Sequence, residues 1–207
     1  MIISLALLGF GISGSVVAIF RRPLLHRFPF AFLGNIVLFS LSTVGCFLLA
    51  QRIPFNPEEI LWDLSQSWRL LSVYLLLALP FFFAANAIAL ALTQYQDRIS
   101  RLYAFDLVGA GIGSLGIVGL LFIVTPLQAL ALIGSFGLLA ALVASRELND
   151  AHKAVWSIGV LLAVLGISLV TWRSDLELSP YKELSQTLRI ADTHIVEETS
   201  SPLGWLS

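Results

Sequence analysis

The residues most suggestive of chemistry are a carboxylate and the glycines that follow it. Asp106 precedes Gly109, Gly113 and Gly116 within residues 103–116. Glycines near an acid occur in dinucleotide-binding loops, but such a loop needs a preceding strand, a following helix and an acid about 20 residues further on. The sequence has none of the three. In an apolar helix these glycines form a stripe, so we predict close helix packing rather than phosphate binding. Small residues elsewhere could meet this stripe: Gly14, Ala84, Ala85 and Ala89.

Asp106 lies three residues before Gly109 and therefore on the same helical face. A carboxylate inside a membrane is costly, and it suggests a cation or proton site. The alternative is structural, because Asp106 is near the start of its helix, where the helix dipole favours negative charge and Arg98 or Arg101 could reach it. We favour the structural interpretation. A cation or proton site at Asp106 remains the alternative.

Other polar residues do not form a catalytic or metal-binding pattern. Asn35 and Asn86 lie deep in apolar segments, and we predict that they form hydrogen bonds between helices. The histidines are scattered over two loops and the tail: His26, His152 and His194. None is near Cys46 or a paired acid at ligand spacing. Nucleophile-elbow and phosphate-loop motifs are also missing, so no catalytic, cofactor or metal residue is predicted.

The amino-acid composition indicates the kind of environment in which these residues lie. Hydrophobic residues make up 57% of the 207 residues and charged residues only 12%, about half of what a soluble domain carries. The net charge of −1 argues against nucleic acid as a partner. Charges gather in short clusters between long apolar stretches. This pattern predicts an integral membrane protein whose main partner is the lipid bilayer.

Six apolar segments have the length of about 20 residues that a membrane-spanning helix needs. They are residues 2–20, 28–50, 70–92, 102–124, 126–144 and 155–172. A backbone in lipid must satisfy its own hydrogen bonds, and no strand alternation suggests a barrel. We therefore predict an all-α bundle of about six transmembrane helices over residues 1–173, with a short irregular or β tail over 174–207.

Prolines and aromatic residues refine this arrangement. Pro126 predicts a tight hairpin between the fourth and fifth segments, and Pro80 predicts a kink in the third. Residues 51–69 are too polar to cross a membrane but have an apolar side with Trp62 and Trp68. This segment is either an interfacial helix or a solvated loop.

Basic residues flanking the spans predict the orientation. The first, third and fifth loops contain seven arginines and lysines, whereas the second contains two and the fourth none. The odd loops would then face the cytoplasm. Both termini would face outward.

Four stretches resemble bacterial membrane-bound spermidine synthase-like proteins. They are residues 5–14, 80–92, 103–116 and the Ser179-Pro180-Tyr181-Lys182 tail. In that family a membrane region precedes a cytosolic Rossmann domain similar to aminopropyltransferases and S-adenosylmethionine-dependent methyltransferases. A cytosolic domain after this tail conflicts with the orientation from the loop charges.

The resemblance implies that residues 179–204 are lead-in strands of the soluble domain. The family's glycine-rich cofactor loop and acidic residues would follow Ser207, so none can be assigned to this sequence. We therefore expect a piece of a longer protein, non-catalytic by itself, without a cofactor of its own, in a bacterial inner membrane. It would anchor a soluble transferase domain or supply it with substrate, or it would associate with other membrane subunits. A small cation or polyamine carrier using Asp106 is the alternative.

Overall fold

The protein is a bundle of helices with a small C-terminal hairpin. The computed structural model describes residues 2–148, positions 159 and 164, and strands 199–201 and 204–206. The helices are α1 (Ile2–Ile19), α2 (Arg21–His26), α3 (Phe28–Gln51), α4 (Leu64–Gln94), α5 (Ile99–Leu120) and α6 (Pro126–Glu147). Two 3-10 turns, Glu58–Leu61 and Gln96–Arg98, precede α4 and α5. Strands β1 (Thr199–Ser201) and β2 (Gly204–Leu206) pair antiparallel.

Four of the described helices are long and apolar enough to cross a membrane. They are Phe28–Gln51, Leu64–Gln94, Gln96–Leu120 and Pro126–Glu147, which match the second to fifth predicted spans. The first predicted span corresponds to α1, a shorter apolar helix. The sixth, residues 155–172, lies outside the described residues except for positions 159 and 164. Val164 packs against a cluster formed by α3 and α6.

The tail prediction is only partly covered by the described residues. Within the predicted irregular or β tail, β1 begins at Thr199. Residues 174–198 lie outside the description. The register of the two strands pairs Ser201 with Gly204.

Helices α3 and α4 form the centre of the described bundle. α3 packs on α4 and on α6, while α4 also packs on α1. Leu33 and Val44 of α3 share a buried cluster with α6. A second cluster joins Val17 of α1 to Phe28 and Leu90. In contrast, α5 contacts α4 over a small area and has no buried residue.

Apolar side chains face outward from these helices, and several polar side chains face inward. Large exposed hydrophobic residues lie along every long helix; on α5, for example, Leu115 is 79% exposed. Ser13, Ser40 and Ser145 are among the most completely buried side chains. Exposed apolar surface on this scale is unfavourable in water, but it is well solvated by lipid chains. The described helices therefore have the surface of a membrane protein.

A capping residue fixes the start of α6. Thr125 caps α6, because its Oγ1 accepts from the Gln128 backbone N–H and its own N–H donates to Gln128 Oε1. Pro126 then occupies the first turn, where its missing N–H costs nothing.

The α5–α6 connection is as short as predicted. The two helices nevertheless make no extensive contact among the described elements.

The connection between α3 and α4, predicted as an interfacial helix or a solvated loop, does not form one continuous helix. Pro54 and Pro57 lack backbone N–H groups and interrupt helix formation. Only the 3-10 turn Glu58–Leu61 forms before Asp63 caps α4. Asp63 Oδ1 accepts a hydrogen bond of 2.9 Å from the Ser65 N–H. The apolar residues at this end therefore belong to a short turn and to the first turns of α4.

The stability that the Asp63 cap contributes at the start of α4 depends on pH. Hydrogen bonds from Ser65, together with the charge of Arg69, lower the pKa of its carboxyl below the ordinary value. A lowered folded-state pKa stabilises the protein at neutral pH, and this stabilisation is lost as the pH falls below about 4. We expect the melting temperature of Asp63→Ala to decrease less on acidification than that of the unmodified protein. Asp63→Asn keeps the cap without the charge and should show the same reduced pH dependence; an unchanged acid response in both would contradict this role.

Candidate functional site

An apolar cavity of about 310 Å³ lies where α3, α4, α5 and α6 meet. Phe32, Ile36 and Phe39 line it from α3, and Ala87 and Ala91 contribute from α4. The remaining lining residues are Ile88, Leu92, Leu102, Asp106, Gly137 and Ala140. Asp106 is the ionisable residue among them.

Asp106 is exposed at the edge of this cavity and not enclosed by protein. The arginines that could neutralise it are placed elsewhere in the described bundle. The guanidinium carbon of Arg101 lies 5.9 Å from the ring centroid of Phe105. Across residues 2–148, Asp106 makes no hydrogen bond or ion pair with Arg98 or Arg101. Its carboxylate is therefore exposed and has no ion pair within the part of the chain that the structure describes.

The glycines after Asp106 face open space. A Cβ added at Gly109, Gly113 or Gly116 would meet no atom within 4 Å in the described part of the chain. The suggested partner Gly14 is equally open, whereas Ala85 is buried and Ala89 packs against the cluster of Val17 and Leu90. The predicted packing at the α5 stripe stays a prediction. The structure places close helix approach elsewhere.

Gly9 is the residue that brings α1 against α4. A Cβ there would lie 2.8 Å from Phe81 Cβ, 2.9 Å from Phe82 N and 3.1 Å from Ala78 O. These atoms surround Pro80, through which α4 continues as a helix. The missing side chain therefore lets the two backbones approach closely. Sequence reasoning did not single out Gly9, although its spacing of four residues from Ser13 is the small-residue pattern that allows such contacts.

A second close approach joins α6 to α3. A Cβ at Gly137 would overlap Ser40 Oγ and would lie 3.1 and 3.2 Å from two ring carbons of Phe39. Ser40 is completely buried, and its hydroxyl donates to the Ile36 carbonyl at 2.9 Å. This contact also forms one side of the Asp106 cavity. No sequence signal separated Gly137 from the other glycines.

The two asparagines have different surroundings. Asn35 donates from Nδ2 to the Ala31 carbonyl of its own helix at 2.8 Å, so this bond is not the predicted interhelical one. Asn86 is 5% exposed, and its Oδ1 has no partner among the described residues. Ser13 of α1 is 1% exposed and its Oγ is also unpaired there. Gly9 lies opposite Phe82, so the register places Ser13 and Asn86 at a similar level of the α1–α4 contact.

Replacing Ser13 by alanine should leave the stability unchanged or raise it. A buried hydroxyl without a partner costs about 1–3 kcal/mol of desolvation, and alanine removes that cost. The measurement is thermal unfolding in detergent micelles, with the exposed Ser15→Ala as the control variant. A lower melting temperature for Ser13→Ala alone would show that its hydroxyl has a stabilising partner.

Metal ligands do not come together in this region. Among residues 2–148, no group of three His, Cys, Asp or Glu side chains could hold a metal ion. His26 is exposed and Cys46 is buried in α3, while His152 and His194 lie outside the described residues.

No protein-family model, curated protein or solved structure matches this chain. Among the described residues, the ionisable group beside this apolar cavity is the Asp106 carboxylate.

Proposed function

We propose that this chain is the non-catalytic membrane domain of a spermidine synthase-like protein. It crosses a bacterial inner membrane several times and anchors, or supplies with substrate, an adjacent soluble enzyme domain. The observation that carries the membrane assignment is the outward-facing apolar surface of helices whose buried side chains include Ser13 and Ser40. The family assignment rests on the resemblance of residues 5–14, 80–92, 103–116 and 179–182.

The proposed bundle contains six spans. Four are the long helices described above. α1 would be the first span, because its close packing at Gly9 places it beside α4. Residues 155–172 would be the sixth, and Val164 already contacts the cluster of α3 and α6. The bilayer would then be the main partner, with a soluble domain or other membrane subunits as further ones.

The reading frame beyond codon 207 tests the family assignment. We expect it to continue into a glycine-rich strand, loop and helix, as in a Rossmann domain. A frame that ends without such a segment would contradict the assignment. Calorimetry tests the non-catalytic role separately, because the chain alone should release no binding heat with S-adenosylmethionine. Saturable binding heat would contradict that role.

A carrier of cations or polyamines is the second candidate. The specific observation is that Asp106 lies at the edge of an apolar cavity without an ion pair in the described bundle. A carboxylate beside apolar walls suits an ammonium group attached to a hydrocarbon chain. The unpaired Asn86 oxygen provides a further polar position within α4, six residues beyond Pro80.

In a carrier, Asp106→Asn should abolish uptake of a labelled polyamine into reconstituted vesicles. The amide keeps the size of the side chain but removes the charge that would attract the cation. Asp97→Asn is the matched control, because Asp97 is exposed in the turn before α5 and does not line the cavity. Equal uptake by the unmodified protein and Asp106→Asn would remove the carrier function and leave the anchoring function in place.

A further inference from the structure

Four large apolar side chains are exposed at the end of the bundle where α3 connects to α4. We call Leu61, Trp62, Leu64 and Trp68 the tryptophan patch. Leu61 is 84% and Trp62 is 88% exposed. Such a cluster at the polar end of a helix pair is unfavourable in water. The patch therefore needs a partner that accepts both apolar rings and indole N–H groups.

The turn that carries the patch is held in place by polar contacts. Gln66 is 2% exposed; its Oε1 accepts from the Asn56 N–H at 3.2 Å, and its Nε2 donates to Glu59 Oε2 at 3.1 Å. Arg69 Nη1 donates to the Pro54 carbonyl at 2.9 Å. The turn is thus ordered without a partner, and binding to the patch does not have to supply that ordering free energy.

The patch continues into the apolar flank of α4. Leu64, Trp68, Leu71 and Leu75 follow one another at spacings of four, three and four residues, so they lie on one helical face, and all four are exposed. Leu75 also lines an apolar groove of about 410 Å³ between α1 and α4. Lipid chains that cover this flank would therefore reach the patch without interruption.

The length of α4 places the patch at the depth of lipid headgroups. Its 31 residues correspond to about 46 Å, against a hydrocarbon core of about 30 Å. The polar residues of its first turns, Ser65, Gln66, Ser67 and Arg69, place the excess length at this end. The first turns then lie in the layer where tryptophan is enriched because its ring is apolar and its N–H is polar. Close to the patch, Glu58, Glu59 and Asp63 outnumber Arg69, so the patch has no basic cluster that would select for anionic lipid.

We propose that the tryptophan patch lies in the headgroup layer of the bilayer and binds phospholipid at the boundary between headgroups and acyl chains. This inference rests on the proposed membrane function. Binding depends on the apolar rings and not on net lipid charge. It holds the connection between α3 and α4 on the membrane surface, and it fixes how deeply α4 sits in the bilayer.

Tryptophan fluorescence of the full chain in phosphatidylcholine vesicles tests the proposal. In one variant Trp62 is retained and the other tryptophans are replaced by phenylalanine: Trp68, Trp156, Trp172 and Trp205. We expect a blue-shifted emission that loses most of its intensity with lipids brominated near the headgroup, and less with lipids brominated near the chain end. Adding phosphatidylglycerol should not change this result. Emission typical of water, quenched by iodide and not by brominated lipid, would overturn the proposal.

A second tryptophan position separates this proposal from the membrane function itself. Ile112 is exposed near the middle of α5, so Ile112→Trp in a background without other tryptophans should be quenched most by bromines near the chain end. Deep quenching at residue 112 without quenching at Trp62 would overturn the patch proposal alone. Quenching at neither position would overturn both. A blue-shifted Trp62 that brominated lipid does not quench would indicate a protein partner and would also overturn the patch proposal.

Discussion

Replacing Gly9 by leucine is expected to separate α1 from α4 and to destabilise the bundle by about 1–3 kcal/mol, the usual cost of overpacking. The added Cβ would meet the Phe82 nitrogen and the Ala78 carbonyl oxygen, which belong to the backbone of α4. Backbone atoms within a helix cannot rotate away as a side chain can, so the whole helix must shift. Thermal unfolding in detergent micelles, followed by circular dichroism, measures the loss.

The same helix contains its own control positions. A Cβ at Gly11 or Gly14 would meet no described atom within 4 Å. Leucine also favours a helix by nearly 1 kcal/mol relative to glycine. Gly11→Leu and Gly14→Leu should therefore be neutral or slightly stabilising. Equal losses at the three positions would mean that α1 does not pack on α4 through Gly9.

Replacing Gly137 by alanine is expected to destabilise the contact between α6 and α3 by a similar amount, about 1–3 kcal/mol. The new methyl group would overlap Ser40 Oγ and press on the ring of Phe39. Ser40 is completely buried, so its hydroxyl has little room to move. The change should also narrow the cavity beside Asp106, which Gly137 helps to line.

A second substitution makes this prediction specific. Ser40→Ala removes the overlapping oxygen and costs little by itself, because the Ser40 hydroxyl bonds only to the Ile36 carbonyl of its own helix. The double variant with Gly137→Ala should regain part of the lost stability, with a coupling of about 0.5–3 kcal/mol. Gly45→Ala in α3, where a Cβ meets no described atom within 4 Å, should cost nothing. Strictly additive effects of Ser40→Ala and Gly137→Ala would contradict the contact.

Hydropathy predicted the long helices because a lipid environment imposes a minimum apolar length on each span. The starts of α3 and α6 agree with the predicted residues 28 and 126, since each is marked by a proline in its first turn. The predicted third span begins at residue 70, and α4 extends it towards the N-terminus by six residues, to Leu64. Ser65, Gln66, Ser67 and Arg69 lower the hydropathy of that first stretch, whereas the cap at Asp63 begins the helix there.

Helix pairing was harder to predict than helix position. Small residues occur on several of these helices, and which of them meet depends on the register between two helices, which a single sequence does not contain. Gly109, Gly113 and Gly116 form the more visible stripe, yet the close contacts use Gly9 and Gly137. Asn35 shows the same difficulty, because a polar side chain in an apolar helix can bond to its own backbone as readily as to a neighbour.

Alkaline extraction of membranes from cells expressing the full chain tests most directly whether this protein is solvated by lipid. The exposed apolar faces of α3 to α6 predict that the chain remains in the membrane pellet and is released, folded, only by detergent. A polypeptide that left the membrane at high pH, and then stayed monomeric and helical in buffer without detergent, would contradict the membrane assignment and every function proposed from it.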